Sequence, residues 1–156
     1  MPPELKPSTR GAVRWIVPAV VLGVLLALYL ATIQRDINAS GAPYVLDSGE
    51  VQVALNLWGT IHFTGYPLYT FLAASLTMLF RAAGVNPATA AALPSTLFAL
   101  AALGIAYALL LARTRSPLLA GASTLALGLM ESQWVHATIA EVYSLYFLFT
   151  ALILWW

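Results

Sequence analysis

The residues best suited to chemistry in this chain lie between positions 47 and 69. The stretch opens with the acidic motif Asp47-Ser48-Gly49-Glu50 and continues through His62 to the turn Gly65-Tyr66-Pro67-Leu68. A carboxylate or an imidazole can take a proton from a reacting hydroxyl near neutral pH. The pattern therefore predicts an active site here, with Asp47 and Glu50 as catalytic candidates and His62 as a general base or a donor to substrate.

A short amphipathic helix is predicted to carry the two acids. Asp47 and Glu50 stand three positions apart, so in a helix beginning here both project to the same side. An apolar stripe follows at helical spacing, formed by Val51, Ala54, Leu55 and Trp58, while Gln52 and Asn56 fall on the other side. This pattern predicts a helix over 48–58 that lies in the membrane interface, ended by Gly59.

The same acidic motif has a purely structural interpretation. An aspartate three residues before a glutamate is also the pattern of a capping box, in which Asp47 would accept a hydrogen bond from the Glu50 amide. The two interpretations remain open and do not exclude each other. His62 likewise has a structural alternative, as a loop histidine bonded to backbone.

Composition limits the class of protein. Hydrophobic residues make up 61% of the 156 residues, charged residues make up 8%, and the mean hydropathy is +0.85. Soluble domains carry about a quarter charged residues, so the chain is predicted to be an integral membrane protein. A net charge of +1 without a basic patch argues against nucleic-acid binding. The absence of cysteine excludes disulfides, thiolate metal sites and cysteine nucleophiles.

The apolar runs predict an all-α, polytopic fold with about four transmembrane helices. A polar cytoplasmic tail over 1–14 precedes a partial transmembrane domain over 15–156, and the predicted spans are 15–33, 88–111, 117–136 and 142–156. The loop over 34–86 carries two interfacial helices, at 48–58 and 67–82. The second of these is too short for a span, which needs about 20 residues. Because the last span stops after a short run, the chain is expected to be the N-terminal part of a longer protein.

The positive charges predict the orientation. Lys6, Arg10 and Arg14 precede the first span, and Arg113 and Arg115 follow the second. Cytoplasmic loops are enriched in such residues, so both groups are placed inside and the loop over 34–86 outside. The protein is predicted to be a multi-pass protein of a bacterial inner membrane.

The predicted span over 117–136 returns the chain to the outer side, where further candidate site residues lie. Glu141 is then on the same side as Asp47, and can either bind a ligand or support the last helix through its dipole. Tyr143 and Tyr146 are typical of an interfacial belt but also lie next to Glu141. Five polar or aromatic residues share this outer side: Glu131, Gln133, Trp134, His136 and Glu141.

Several chemistries have no support in the sequence. It contains no Gly-rich phosphate loop, no G-x-S-x-G elbow and no pair of closely spaced histidines. Asp47, Glu50 and His62 could hold Mn²⁺ or Mg²⁺ by ligand hardness, but their spacing does not require it. No metal and no cofactor are therefore predicted, and a divalent metal is left open.

The motifs and their order resemble a known family. Asp47-Ser48-Gly49-Glu50 after the first span, His62-Phe63-Thr64-Gly65-Tyr66-Pro67-Leu68 before a helix, and Ala140-Glu141-Val142-Tyr143 after a later span are similar to the N-terminal part of GT-C membrane glycosyltransferases. The closest resemblance is to a family of bacterial membrane proteins that includes an animal endoplasmic-reticulum O-mannosyltransferase. It covers residues 15 to 156.

The resemblance implies an enzyme with a lipid-linked substrate. Such an enzyme transfers a sugar, with mannose as the candidate, from a polyprenyl-phosphate donor to a protein or glycan acceptor on the extracytoplasmic side, with inversion. A first-loop carboxylate, Asp47 or Glu50, would be the general base. Substrate-binding residues would be His62, Tyr66, Glu141 and Tyr143.

Two departures from the family pattern bear on that expectation. Phe63 and Thr64 replace two prolines after the histidine, and the arginine expected before the second span has no counterpart. Whether Arg81 substitutes for that arginine is open. The rival hypothesis is a non-enzymatic membrane protein, such as a transporter or assembly subunit, whose polar outer loop is a docking surface.

Overall fold

The computed structural model describes residues 7–37 and 47–156, with side chains from residue 13 onward. Expectations for residues 1–6 and 38–46 lie outside the described residues. Within the described part the chain forms seven helices and no strand. They are α1 (Pro7–Thr32), α2 (Ser48–Leu57), α3 (Pro67–Ala82), α4 (Pro87–Thr114), α5 (Pro117–Gly128), α6 (Glu131–Thr138) and α7 (Tyr143–Trp155). The all-α class is confirmed.

Proline and short polar side chains begin several of these helices. Pro67, Pro87 and Pro117 each occupy a first-turn position, where the missing N–H costs no intrahelical bond. Asn86 caps α4 by accepting from the Thr89 amide at 2.9 Å, and Ser116 caps α5 through the Leu119 amide at 3.3 Å. The helix predicted over 67–82 has the same bounds in the structure.

Helix α4 is the central element of the fold. It contacts each of the other six helices. Its buried face is rich in alanine, which allows neighbouring backbones to approach closely. The alanines of this face are Ala88, Ala90, Ala91, Ala92, Ala99 and Ala102. Because α2, α3 and the α6–α7 connection all pack on or beside α4, its first half is the scaffold on which the outer residues are assembled.

A glycine at the end of α5 permits close packing against α1. A Cβ at Gly128 would lie 2.6 Å from Leu25 Cδ1, and Leu25 is fully buried. The Gly128 carbonyl also accepts a 2.7 Å hydrogen bond from the Tyr29 hydroxyl. This contact fixes the point at which α5 ends and the chain turns toward α6.

The four-span count is not confirmed. By length and composition, Val13–Thr32 and Pro87–Thr114 could cross a membrane, and a third span is counted only if α6 and α7 are taken together. The segment predicted as one span over 117–136 is instead divided between α5 and α6, since Met130 adopts an extended conformation between them. The chain bends by 119° between α6 and α7. Helix α5, at about 18 Å, falls short of the hydrocarbon thickness.

Two further expectations differ from the structure. Helix α1 begins at Pro7, so described residues assigned to the polar tail are helical. The apolar stripe of α2 faces protein and not lipid, because Val51, Ala54 and Leu55 belong to a buried cluster with α3 and α7. Trp58 is half exposed and Gln52 is buried. The interfacial placement of α2 and α3 is not confirmed.

Candidate functional site

Helix α2 and the loop after it bring Glu50 and His62 together. The helix ends at Trp58, which adopts the left-handed conformation (φ 54°), and the Gly59 amide donates to the Ala54 carbonyl at 2.8 Å. This tight end reverses the chain, so that His62, twelve residues after Glu50, returns beside it. The loop reversal thereby places an imidazole against a carboxylate of the preceding helix.

Glu50 contacts His62 through both of its carboxylate oxygens. Oε1 accepts from the His62 backbone N–H at 2.6 Å, and Oε2 lies 3.0 Å from His62 Nδ1. An ionised carboxylate only accepts hydrogen bonds, so Nδ1 carries the proton in this pair. In the neutral imidazole the lone pair is then on Nε2, on the opposite side of the ring. Glu50 therefore fixes both the position and the tautomer of His62.

Asp47 lies on the Nε2 side of the same ring. Its Oδ2 is 4.0 Å from His62 Nε2, and its side chain is 60% exposed. The Asp47 side chain makes no capping hydrogen bond to α2, so the capping-box interpretation is wrong. The reason is conformational: Asp47 itself adopts the right-handed helical region (φ −96°, ψ −12°), whereas a capping residue normally has extended geometry. Asp47 thus presents carboxylate oxygens that α2 does not use.

The turn before α3 holds Tyr66 in an unusual conformation. Gly65 and Tyr66 both have positive φ, at 74° and 39°. For a tyrosine that region costs about 1–2 kcal/mol. The turn is stabilised by the Thr70 hydroxyl, which donates to the Gly65 carbonyl at 3.0 Å. As a result the Tyr66 ring lies edge-on to His62, with ring centroids 6.1 Å apart.

Glu141 approaches this group from the connection between α6 and α7. Its side chain is mostly buried, and Ser95 of α4 holds its backbone by donating to the Glu141 carbonyl (3.0 Å) and accepting from the Glu141 amide (3.2 Å). Burial raises the pKa of Glu141, while the bond from the Val142 amide lowers it. The negative charge of Asp47 raises this pKa further, and His62 lowers it when its ring is protonated, so the three groups interact electrostatically.

Behind Glu141 lies a tyrosine that the sequence interpretation did not select. Tyr69 of α3 is buried, and burial raises the pKa of its hydroxyl, with Ser95 lowering it and Glu141 raising it. The hydroxyl lies beside Ser95 but forms no hydrogen bond of acceptable geometry within the described residues. Tyr69 directly follows the Gly-Tyr-Pro-Leu motif and Ser95 lies in the apolar run of α4, and only the packing of α3 against α4 joins them to Glu141.

Tyr143 and His136 form a neighbouring aromatic group. Their ring centroids are 4.5 Å apart, and Tyr146 lies 6.3 Å from Tyr143. Within the described residues no hydrogen bond joins Tyr143 to Asp47, Glu50 or His62. The Tyr143 side chain is half exposed at the start of α7.

A groove with mainly apolar lining begins at Glu50. It encloses about 450 Å³ between α2, the loop after it and Ile37. The lining residues are Ile37, Gly49, Glu50, Val53, Ala54, Leu57, Gly59 and Thr60. A polar head and an apolar chain of one ligand could therefore lie on adjacent surfaces.

Arg81 lies away from the residues of the site. Arg81 donates to the Asn56 side chain at the far end of α3, about 20 Å along the helix from Pro67. Over residues 7–37 and 47–156, no three histidine or acidic side chains are grouped as metal ligands would be.

Comparison with known proteins identifies one family. The family described as "Protein O-mannosyl-transferase TMEM260 N-terminal domain" matches residues 47–156, which include every residue of the site described above except Ile37. No curated protein and no solved structure matches the chain.

Proposed function

The chain belongs to the protein O-mannosyl-transferase TMEM260 family, through the N-terminal domain of that family, and on this basis we propose that it is part of a membrane glycosyltransferase using a polyprenyl-phosphate-linked sugar. The sugar, with mannose as the candidate, passes to a hydroxyl of a protein or glycan acceptor on the extracytoplasmic side. The general base is Asp47. The family assignment supports the transferase class, and the geometry supports the choice of base.

The choice of Asp47 as the base rests on one observation: the carboxylate of Glu50 is hydrogen-bonded to His62, and that of Asp47 makes no capping bond to α2. Both oxygens of Glu50 are occupied by His62, one through the backbone and one through the ring. Asp47 lacks a capping bond and is the more exposed of the two acids. A general base must reach the proton that it removes, so Asp47 is the base and Glu50 is the residue that positions His62.

The proposed step is a single displacement at the anomeric carbon. The acceptor oxygen forms a bond to that carbon as the bond from the carbon to the phosphate oxygen breaks, which inverts the configuration. Asp47 takes the proton of the acceptor hydroxyl, and the polyprenyl phosphate leaves with the bonding electron pair. In the neutral imidazole of His62, Nε2 carries the lone pair next to Asp47 and is proposed to accept a hydrogen bond from a substrate hydroxyl.

Glu141 and the two tyrosines are proposed to bind the sugar. With its raised pKa, Glu141 is more readily protonated than an exposed glutamate, and a protonated carboxyl can donate a hydrogen bond to a sugar hydroxyl as well as accept one. Tyr66, beside His62, and the half-exposed Tyr143 offer ring faces and hydroxyls at the two sides of the site.

The groove beside Glu50 is proposed for the first part of the prenyl chain. Its residues Val53, Ala54 and Leu57 are apolar, and a lipid-linked donor needs an apolar surface next to the site of its phosphate. The first-turn amides of α3, which have no side-chain cap, are the proposed donors to the leaving phosphate.

The chain is not expected to be active alone, so the proposal is tested on the purified full-length enzyme that contains it, supplied in liposomes with either a polyprenyl-phosphate mannose or a nucleotide-activated mannose. Transfer from the lipid-linked donor alone, with inversion at the anomeric carbon seen by NMR of the product, is the expected result. Transfer from the nucleotide donor, or retention of configuration, would exclude the proposed donor or the single displacement.

A further inference from the structure

A second cavity lies at the opposite end of the spanning helices from Asp47. It encloses about 860 Å³ between the start of α1, the end of α4, the start of α5 and Trp155 of α7. Its lining includes Pro18, Leu22, Gly104, Leu111 and Trp155. Ligand pockets commonly enclose about 300–1,000 Å³, so the cavity is large enough for part of a lipid.

Two arginines line this cavity. Arg14 belongs to α1, and its carbonyl accepts a 3.2 Å hydrogen bond from the Tyr107 hydroxyl of α4, which holds the two helices together at this level. Arg115 follows α4 in the left-handed conformation (φ 55°). Neither guanidinium forms an ion pair or a side-chain hydrogen bond with the described part of the chain. Among the described residues, two cations therefore flank an apolar groove and no carboxylate pairs with them.

The distribution of charge along the helices favours an anionic ligand at this end. The five acids of the described ranges lie in the first turn of a helix or in a connection between helices, all away from this end: Asp36, Asp47, Glu50, Glu131 and Glu141. The end that carries Arg14, Arg113 and Arg115 is called the basic end. From Arg14 to the end of α1 at Thr32 the helix rises about 27 Å, so the basic end is about one hydrocarbon thickness from the outer end of α1.

We propose that the cavity at the basic end binds an anionic phospholipid, with the phosphate between Arg14 and Arg115 and an acyl chain along the apolar groove. A lipid supplies both parts of the required chemistry at once: an anion for the arginines and an apolar chain for Leu22, Leu111 and Trp155. A free anion would leave the groove in contact with water. A zwitterionic lipid carries no net charge and would leave both arginine charges uncompensated, whereas an anionic phospholipid compensates one of them. This site is separate from the proposed donor site and does not depend on the choice of base.

The test compares arginines of the same end that do and do not line the cavity. Binding of phosphatidylglycerol and phosphatidylcholine to the detergent-solubilised protein is measured by native mass spectrometry. Arg14→Gln and Arg115→Gln should each lower the affinity for phosphatidylglycerol about fivefold, and the double variant about thirtyfold. Arg113→Gln removes the same charge from the last turn of α4 without lining the cavity, and it should change the affinity by less than about twofold.

Two more variants separate lipid binding from loss of fold. Arg14→Lys/Arg115→Lys keeps both charges and should retain most of the affinity, and Gly104→Leu should block the groove and lower the affinity while both arginines remain. The proposal is overturned if the wild type binds both lipids equally, or if Arg113→Gln loses as much as Arg115→Gln. It is also overturned if glycerol phosphate displaces the lipid as effectively as phosphatidylglycerol does, since the site would then recognise the anion only.

Discussion

Glu50 holds His62 at two points, through the backbone N–H at 2.6 Å and through ring Nδ1 at 3.0 Å. Both side chains are more than one-third exposed, so solvent screens the ring contact and its contribution is about 0.5–1 kcal/mol. A double-mutant cycle with Glu50→Gln and His62→Ala should give a coupling energy of this size in thermal or chemical denaturation. Purely additive effects would show that the contact does not stabilise the protein.

Asp47→Asn should lower sugar transfer without lowering stability. Asparagine is close in shape but cannot take the acceptor's proton, so the rate should fall by about 10² to 10⁴. Because Asp47 makes no capping bond, both Asp47→Asn and Asp47→Ala should leave the free energy of unfolding within about 0.5 kcal/mol of the wild type. Initial rates with the lipid-linked donor and melting in detergent measure the two effects. Normal turnover by Asp47→Asn would remove this residue from the mechanism.

Glu141 should make stability depend on pH. Burial raises its pKa in the folded protein above the ordinary value of 4.5, so the folded chain keeps the proton to higher pH than the unfolded chain. Folding then takes up a proton between the two pKa values, and the free energy of unfolding falls as pH rises through the folded pKa. Glu141→Gln, which resembles the protonated form, should remove this fall.

The matched control is Glu131→Gln. Glu131 is exposed at the start of α6, so its replacement should leave the pH profile of the melting temperature unchanged. A profile that is the same in wild type and in Glu141→Gln would contradict the role of burial at Glu141.

Tyr66 is predicted to bind the sugar while its positive φ destabilises the fold. Tyr66→Gly and Tyr66→Ala both remove the ring beside His62, and both should weaken transfer. Only glycine adopts the left-handed conformation without strain, so Tyr66→Gly should be more stable than Tyr66→Ala by about 1 kcal/mol. Denaturation of the two variants measures this difference. Equal stability would mean that the turn relaxes and that the positive φ of Tyr66 is not imposed by its surroundings.

The sequence by itself determined the helical, membrane-type character of the chain and several helix ends. Prolines at positions 67, 87 and 117 have a fixed φ and no N–H, so they mark helix starts without reference to the rest of the fold. The acidic motif, the histidine and the Ala-Glu-Val-Tyr segment were also recognisable, because residue type and order carry the family resemblance. These are local properties, and local physical chemistry is sufficient to predict them.

Only the tertiary structure decided which of these residues meet and where the chain bends. The contact between Glu50 and His62 depends on the left-handed end of α2 at Trp58, and a tryptophan gives no local signal for that conformation. The break between α5 and α6 lies in an apolar run, where Gly128 packs against Leu25 and accepts from Tyr29. The burial of Val51, Gln52 and Glu141 likewise depends on α3, α4 and α7. Periodicity predicts that a face is apolar, but whether protein or lipid covers that face depends on long-range packing.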